Sequence, residues 1–288
     1  MNKIPQVNHD KYLQRMSDNV RHTTKALIPF YAKGDVLDVG CADGALLSLL
    51  HEFNPELKLY GIEMNETAAN MATAKGFDVL CSTFEEFAEC YRDEKFDTII
   101  FSSVLHEIYS YDFTNREKVS PLIYISKILI DASKFLKPNG VIIIRDGVGS
   151  DRHCGTRTFS FKDVSDIGWL ARFIEGNFAY NDSSYQISKN NITISEDVLK
   201  EFLFTYTWGE KSWDREVQEM YGVLSEKEWK DELPIEVKKY LNRELIAFSA
   251  EEYAKYLSGK INEVNGLKLD QLFACSSCLS VYSLKETN

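Results

Sequence analysis

The chain has 288 residues, 44% hydrophobic and 27% charged, with a formal net charge of −11. That length and apolar content suit one α/β domain with a sizeable insertion, and the acidic balance argues against broad electrostatic capture of nucleic acid, which needs clustered Lys and Arg. No window approaches the roughly 18 consecutive apolar residues of a membrane-spanning helix, and Met1-Asn2-Lys3-Ile4-Pro5-Gln6 lacks a signal peptide's apolar core, so the expectation is a cytoplasmic protein with no membrane partner.

In chain order, residues 9–28 place Tyr12, Leu13, Met16, Val20, Leu27 and Ile28 largely on one helical face, with Pro29 just beyond the end. Next comes Val36-Leu37-Asp38-Val39-Gly40-Cys41-Ala42-Asp43-Gly44, followed by Ala45-Leu46-Leu47-Ser48-Leu49-Leu50. An apolar run stops at glycines and resumes as a helix-favouring segment: a strand, a tight loop and a helix N-terminus, which can hold a nucleotide-like ligand on backbone N–H groups. The stretch has neither the G-x-G-x-x-G spacing of a dinucleotide site nor the Gly-Lys-Ser/Thr of a P-loop, and an ordinary βα turn stays open at this point. The run resembles motif I of the class I S-adenosylmethionine (SAM)-dependent methyltransferases, V-L-D-x-G-C-G-x-G, with Ala42 standing where that family usually has its middle glycine. The resemblance implies SAM as cofactor, held by Asp38, Gly40, Cys41, Ala42, Asp43 and Gly44, and an N-terminal helix leaning over the cofactor pocket; a helix that only covers the sheet is the alternative.

Lys58 to Ile62 reads as the second strand. Glu63 at its end follows Gly44 by 19 residues, about the spacing of an acid that accepts hydrogen bonds from ribose hydroxyls, and Met64 is grouped with it. Asn65 to Lys75 reads as a helix ended by Gly76, and Phe77 to Cys81 as the third strand. By resemblance the following residues, Thr83 and Phe84, flank the adenine. Phe96 to Glu107 is the fourth strand and its exit, an apolar run of the kind buried on both faces of a parallel sheet. Ser102 and Ser103 at that exit are assigned to the cofactor, and His106 and Glu107 to catalysis, since a histidine suits general-base work and ligands bind beyond strand C-termini. The Asn/Asp-Pro-Pro-Tyr/Phe exit of the amino-methylating branch is absent. Residues 115–136 read as one long helix, Leu136 to Gly140 as a turn, and Val141 to Asp146 as the fifth strand, whose start is very like that of these methyltransferases.

Repeated βα units imply a doubly wound, mostly parallel sheet; the resemblance makes it the seven-stranded Rossmann-like methyltransferase fold. Residues 1–149 and 249–288 are assigned to that domain, and 150–248 to an inserted, mainly helical cap that selects the substrate. The cap holds all four tryptophans, short helices near 167–173 and 198–203, a hairpin around Lys189-Asn190-Asn191 and capping boxes at Ser225 and Ser249. Tyr206, Trp208, Trp213 and Arg215, with Arg145 from the fifth strand, are the substrate-binding candidates; aromatic filling of the cap's own core is the competing role for each tryptophan. Leu267–Phe273 and Leu279–Leu284 are expected as the sixth and seventh strands, a hairpin with Cys275 and Cys278 near its turn. That pair lacks a second ligand pair except the remote His153-Cys154, so no metal is expected. The functional expectation is a SAM-dependent methyltransferase acting on an O or N atom of a small molecule. An RNA methyltransferase with a basic surface assembled by folding, and a SAM-binding regulatory protein without catalysis, are the alternatives.

Overall fold

A computed structural model describes residues 23–151, 154–231, 234–264 and 268–285. The main sheet contains β1 (Asp35–Val39), β2 (Lys58–Ile62), β3 (Asp78–Leu80), β4 (Phe96–Ser102) and β5 (Leu136–Gly149), joined later in the chain by β10 (Leu241–Ser249) and β12 (Ser277–Leu284). Its strand order is β10-β12-β5-β4-β1-β2-β3. The neighbours from β5 to β3 are parallel, whereas β12 runs antiparallel to both β5 and β10. Five parallel strands need crossovers, and α1 (Ala45–Phe53), α2 (Glu66–Ala74), α3 (Phe84–Cys90), α4 (Leu105–Tyr111) and α5 (Pro121–Ser133) provide them. The central strand β4 has six of its seven residues buried, as its continuous apolar run requires. The sheet is mostly parallel and seven strands wide along this path, with the two-residue β9 (Leu224–Ser225) added beside the end of β5.

A second, four-stranded sheet has the order β11-β6-β8-β7, from β6 (Thr156–Phe161), β7 (Gln186–Ser188), β8 (Asn191–Ser195) and β11 (Ile261–Val264). The expected hairpin is β7–β8. With α6 (Ile167–Gly176), α7 (Glu196–Tyr206) and α8 (Trp213–Glu216), this sheet encloses a core of its own, including Phe159, Phe173, Phe202, Tyr206 and Trp213. The cap thus carries a small sheet of its own beside its helices.

Several expected elements differ. Most of the N-terminal helix (9–22) lies outside the described residues; Thr24–Phe30 form a 3-10 helix that contains Pro29. The helix expected over 115–136 is shorter, α5 at Pro121–Ser133, and a turn at 112–120 separates it from α4. The expected sixth strand is instead a short helix, Leu269–Leu272, because Leu269, Leu272 and Phe273 are spaced to bury one helical face in the second core. The true sixth strand is β10, where a register shift between Arg243 and Leu245 breaks the alternation that marks a strand. The expected cap boundary at residue 248 thus falls inside a strand of the main sheet, and Leu257, Ile261, Leu269, Leu272 and Phe273 return to the second core. The Ser225 capping box forms; Ser249 instead ends β10.

The cap meets the main sheet through glycine. A Cβ on Gly147 would lie 2.5 Å from the carbonyl oxygen of Tyr221, and one on Gly149 2.5 Å from that of Gly222. Both glycines let backbone meet backbone, so the segment after α8 lies directly against the end of β5.

Candidate functional site

Two groups of residues meet beyond the C-terminal ends of β1, β4 and β5. The first is the loop between β1 and α1. Gly40, Ala42 and Gly44 take positive φ angles of 72°, 48° and 77°. At Gly40 a Cβ would lie 2.5 Å from Val104 Cγ2, so only glycine fits without displacement. The Gly40 and Cys41 N–H groups donate to the Ile62 carbonyl at 2.8 and 3.1 Å, fixing the loop to the end of β2. Glu63 continues that tie: its Oε2 accepts from Ala42 N–H at 3.0 Å and its Oε1 from Asn65 N–H at 2.7 Å. Burial raises the Glu63 carboxyl above its ordinary range.

Beneath the loop, Asp38 is fully buried and its Oδ1 has no hydrogen-bond partner among the described residues. Burial pushes its carboxyl up to about 7, with Lys25 opposing the shift. Lys25, from the 3-10 helix, is buried too; desolvation and the Arg145 guanidinium lower its ammonium to about 8, while Asp38, Asp146 and Glu107 favour its charge. Ser102 Oγ, at the end of β4, is likewise buried without a partner among the described residues.

Other cofactor candidates are engaged elsewhere. Asp43 accepts from Ala45 N–H at 3.2 Å and pairs with Lys75 at 2.7 Å, so it ties α1 to the end of α2. Thr83 caps α3 in a reciprocal box with Glu86. Phe84 is buried edge-on against Phe101, at 5.4 Å between centroids, in the main core. An N-cap and a core position thus occupy these two side chains. Cys41 is buried, which raises its thiol, and Met64 is exposed beside Glu63. Ser103 takes a φ of 59° and accepts from Arg145.

The second group joins α4 to the segment Trp213–Gly222. His106 Nδ1 lies 2.6 Å from Asp146 Oδ1, and Asp146 also accepts from the backbone N–H of His106 (3.2 Å) and Gly147 (2.7 Å). The other ring nitrogen, Nε2, lies 3.6 Å from Glu219 Oε2. Glu219 is almost fully buried; Tyr111 donates to its Oε1 at 2.7 Å and Arg215 Nε lies 3.2 Å from the same oxygen. Arg215 Nη2 lies 3.0 Å from Glu107 Oε2. The Tyr221 ring stacks on His106 at 5.2 Å, and its hydroxyl donates to Glu216 Oε2. Burial opposes charge on His106, but Asp146 and Glu219 outweigh it and hold the imidazole well above its ordinary pKa. Burial, followed by Glu219, drives the Glu216 carboxyl well above its ordinary value.

Of the substrate candidates, only Arg215 joins this group. The Arg145 guanidinium is taken up by Thr24 (3.0 Å), Ser103 and Glu251. Tyr206 and Trp213 are core: Trp213 packs on Trp169 at 4.6 Å, and the Tyr206 hydroxyl donates to Asp166. Trp208 packs partly buried against the same core. A cap with its own sheet needed these rings as filling. Cys278 is buried in the main core, and the one group of three potential metal ligands among the described residues contains no cysteine.

Sequence reading missed Lys25, Tyr111, Glu216 and Glu219. Glu216 and Glu219 carried a signal, being three residues apart beside Arg215 in a tryptophan-flanked stretch, so that one short turn presents all three.

A family model for a methyltransferase domain matches residues 32–221. No curated protein matches the chain. Among solved structures, the plantazolicin methyltransferase BpumL in complex with a monoazolic desmethylPZN analog and SAH is 16% identical, with 97% of this chain and 88% of that chain covered at a TM-score of 0.45. The PH0226 protein from Pyrococcus horikoshii OT3 is 15% identical, with 99% and 96% covered at 0.45. The N-methyltransferase NodS from Bradyrhizobium japonicum WM9 is 12% identical, with 94% and 97% covered at 0.44. With the family model spanning the glycine loop, β4, β5 and the segment that carries Glu219, the chain belongs to the methyltransferase domain family.

Proposed function

We propose that the enzyme transfers a methyl group from SAM to an oxygen or nitrogen of a small molecule. The observation that carries this is Asp38 Oδ1, a buried carboxylate oxygen without a partner at the base of a glycine loop. Such an atom is costly unless a ligand satisfies it. Asp38 suits the donor's amino group and Lys25 its carboxylate. The Glu63 oxygens, each already accepting one backbone N–H, retain lone pairs for the ribose hydroxyls.

The bound donor supplies an activated methyl on a sulfonium; the chain's part is to position an acceptor in line and exclude water. His106 and Glu107 open α4 on the acceptor side. Fixed by Asp146, His106 is the orienting group of the two. Glu107, whose side chain is 24% exposed against 7% for His106, is better placed to pass the acceptor's proton to solvent.

Titration calorimetry with SAM and S-adenosylhomocysteine tests the cofactor half, with one site of micromolar affinity expected and its loss in Asp38→Ala. An absence of binding by the unmodified chain overturns the proposal. Turnover of SAM to S-adenosylhomocysteine with fractionated small metabolites, and none with RNA, tests the acceptor class.

A further inference from the structure

We infer that His106, Glu107 and Glu219 form a binding site for a divalent transition-metal cation beside the proposed methyl-donor site. One ligand atom from each of the three lies within 4.8 Å of the other two. The decisive distance is 3.6 Å between His106 Nε2 and Glu219 Oε2. It is too long for a hydrogen bond, and it matches the separation of two ligand atoms that each stand about 2.0–2.2 Å from one metal at a near-tetrahedral angle. The outer shell is also built. Asp146 holds Nδ1 at 2.6 Å, the carboxylate–histidine arrangement that fixes the tautomer and aims Nε2 at a metal.

Behind the cluster lies Glu216. Its side chain is 1% exposed and its Oε1 has no partner among the described residues, although the Tyr221 that donates to Oε2 also stacks on His106. Burial keeps that carboxyl in its protonated range, so Glu216 stands behind the ligand set and is not a member of it. Arg215 pairs with Glu219 Oε1 and Glu107 Oε2, while Glu219 Oε2 faces the imidazole. One imidazole with two carboxylates suits zinc, manganese or ferrous iron rather than a soft, thiolate-seeking ion.

The cation's place at the start of α4 lets it polarise an acceptor oxygen, which narrows the acceptor to a hydroxyl-bearing compound. That narrowing rests on the methyltransferase reading; the cation site does not. The full chain, stripped with a chelator, is titrated with Mn²⁺ and separately with Zn²⁺ in the absence of SAM, and its metal content is measured after dialysis. One equivalent is expected, with His106→Gln and Glu219→Gln each weakening binding at least tenfold and Asp146→Asn by about 10–100-fold. Because a buried variant can fail to fold, the unmodified chain loaded with Mn²⁺ is also examined by pulsed electron paramagnetic resonance for coupling to one imidazole nitrogen. No stoichiometric binding of either ion, or binding without that nitrogen coupling, overturns the site. Retained metal binding in a chain that fails to bind SAM upholds it and removes only the methyltransferase reading.

Discussion

The glycine loop and the cap-side cluster face each other across the ends of β1, β4 and β5, and they are finished to different degrees. In the loop, three alternate residues hold positive φ and the oxygens of Asp38 and Ser102 point at no partner. In the cluster, Glu219 receives Tyr111 and Arg215 on one oxygen and faces His106 with the other. An unfinished cradle requires a ligand to complete it, whereas a nearly complete ion network also serves as a joint, here between the two cores. The contrast predicts that the halves can be damaged separately.

The largest effect is expected from Trp213→Ala. The ring is buried in the second core beside Trp169 and Arg172, and its removal costs about 3–5 kcal/mol. Denaturant unfolding should register that loss while calorimetry finds SAM affinity within a few-fold of the parent. A parallel collapse of SAM binding breaks the separation.

Gly40→Ala tests the other half. The added methyl meets Val104, on a stiff β-branched side chain, in a backbone region that disfavours alanine. About 2–4 kcal/mol of stability should go, and with it measurable SAM binding, since the loop cannot move without releasing Ile62. Full affinity in this variant rules out the loop as the cofactor cradle.

These two halves were unequally legible. The loop is nine consecutive residues, and the distance to Glu63 is one βα unit, so a linear pattern carries both. Local spacing did not announce the tertiary partners these side chains take: Thr83 caps a helix, Phe84 enters the core, and Arg145 joins Thr24, Ser103 and Glu251. The cluster is assembled from α4, β5 and α8, with Tyr111 and Glu219 separated by 108 positions. What brings them together is the backbone contact at Gly147 and Gly149, and no periodicity announces a contact between a strand end and a distant loop. The sixth strand was missed because a bulge at an exposed edge erased its alternation.

Asp38→Ala should weaken SAM binding by roughly 10–150-fold, the loss of one charge-assisted hydrogen bond. It should also raise the stability of the free chain, because an uncompensated buried group is removed. A pH series gives the same comparison without mutation. The Asp38 carboxyl titrates near 7 when folded and near 3.8 in a free chain. The unfolded state therefore ionises first, so this group's contribution to stability falls as pH rises from about 4 to about 7. Ligand binding runs the opposite way: an ammonium prefers the ionised carboxylate, so SAM affinity should rise about tenfold from pH 6 to pH 8, with proton release detectable by calorimetry in buffers of different ionisation enthalpy. Lys25, at about 8, should flatten the rise above that pH. A flat profile separates Asp38 from the ligand.

Ala42→Gly is the smallest change and the sharpest test of how the loop is held. Ala42 adopts a φ of 48°, where a Cβ costs roughly 1–2 kcal/mol. Glycine removes that strain but loses about 0.5–1 kcal/mol through its greater freedom when unfolded. The net expectation is stabilisation by about 0.5–1 kcal/mol, a rise of a few degrees in Tm. Affinity for SAM should stay level or improve slightly, because the Ala42 N–H to Glu63 bond survives and only a methyl leaves the cradle. A fall in stability instead means that the alanine methyl packs for a purpose, and that Cys41 and Glu63 position the loop around it.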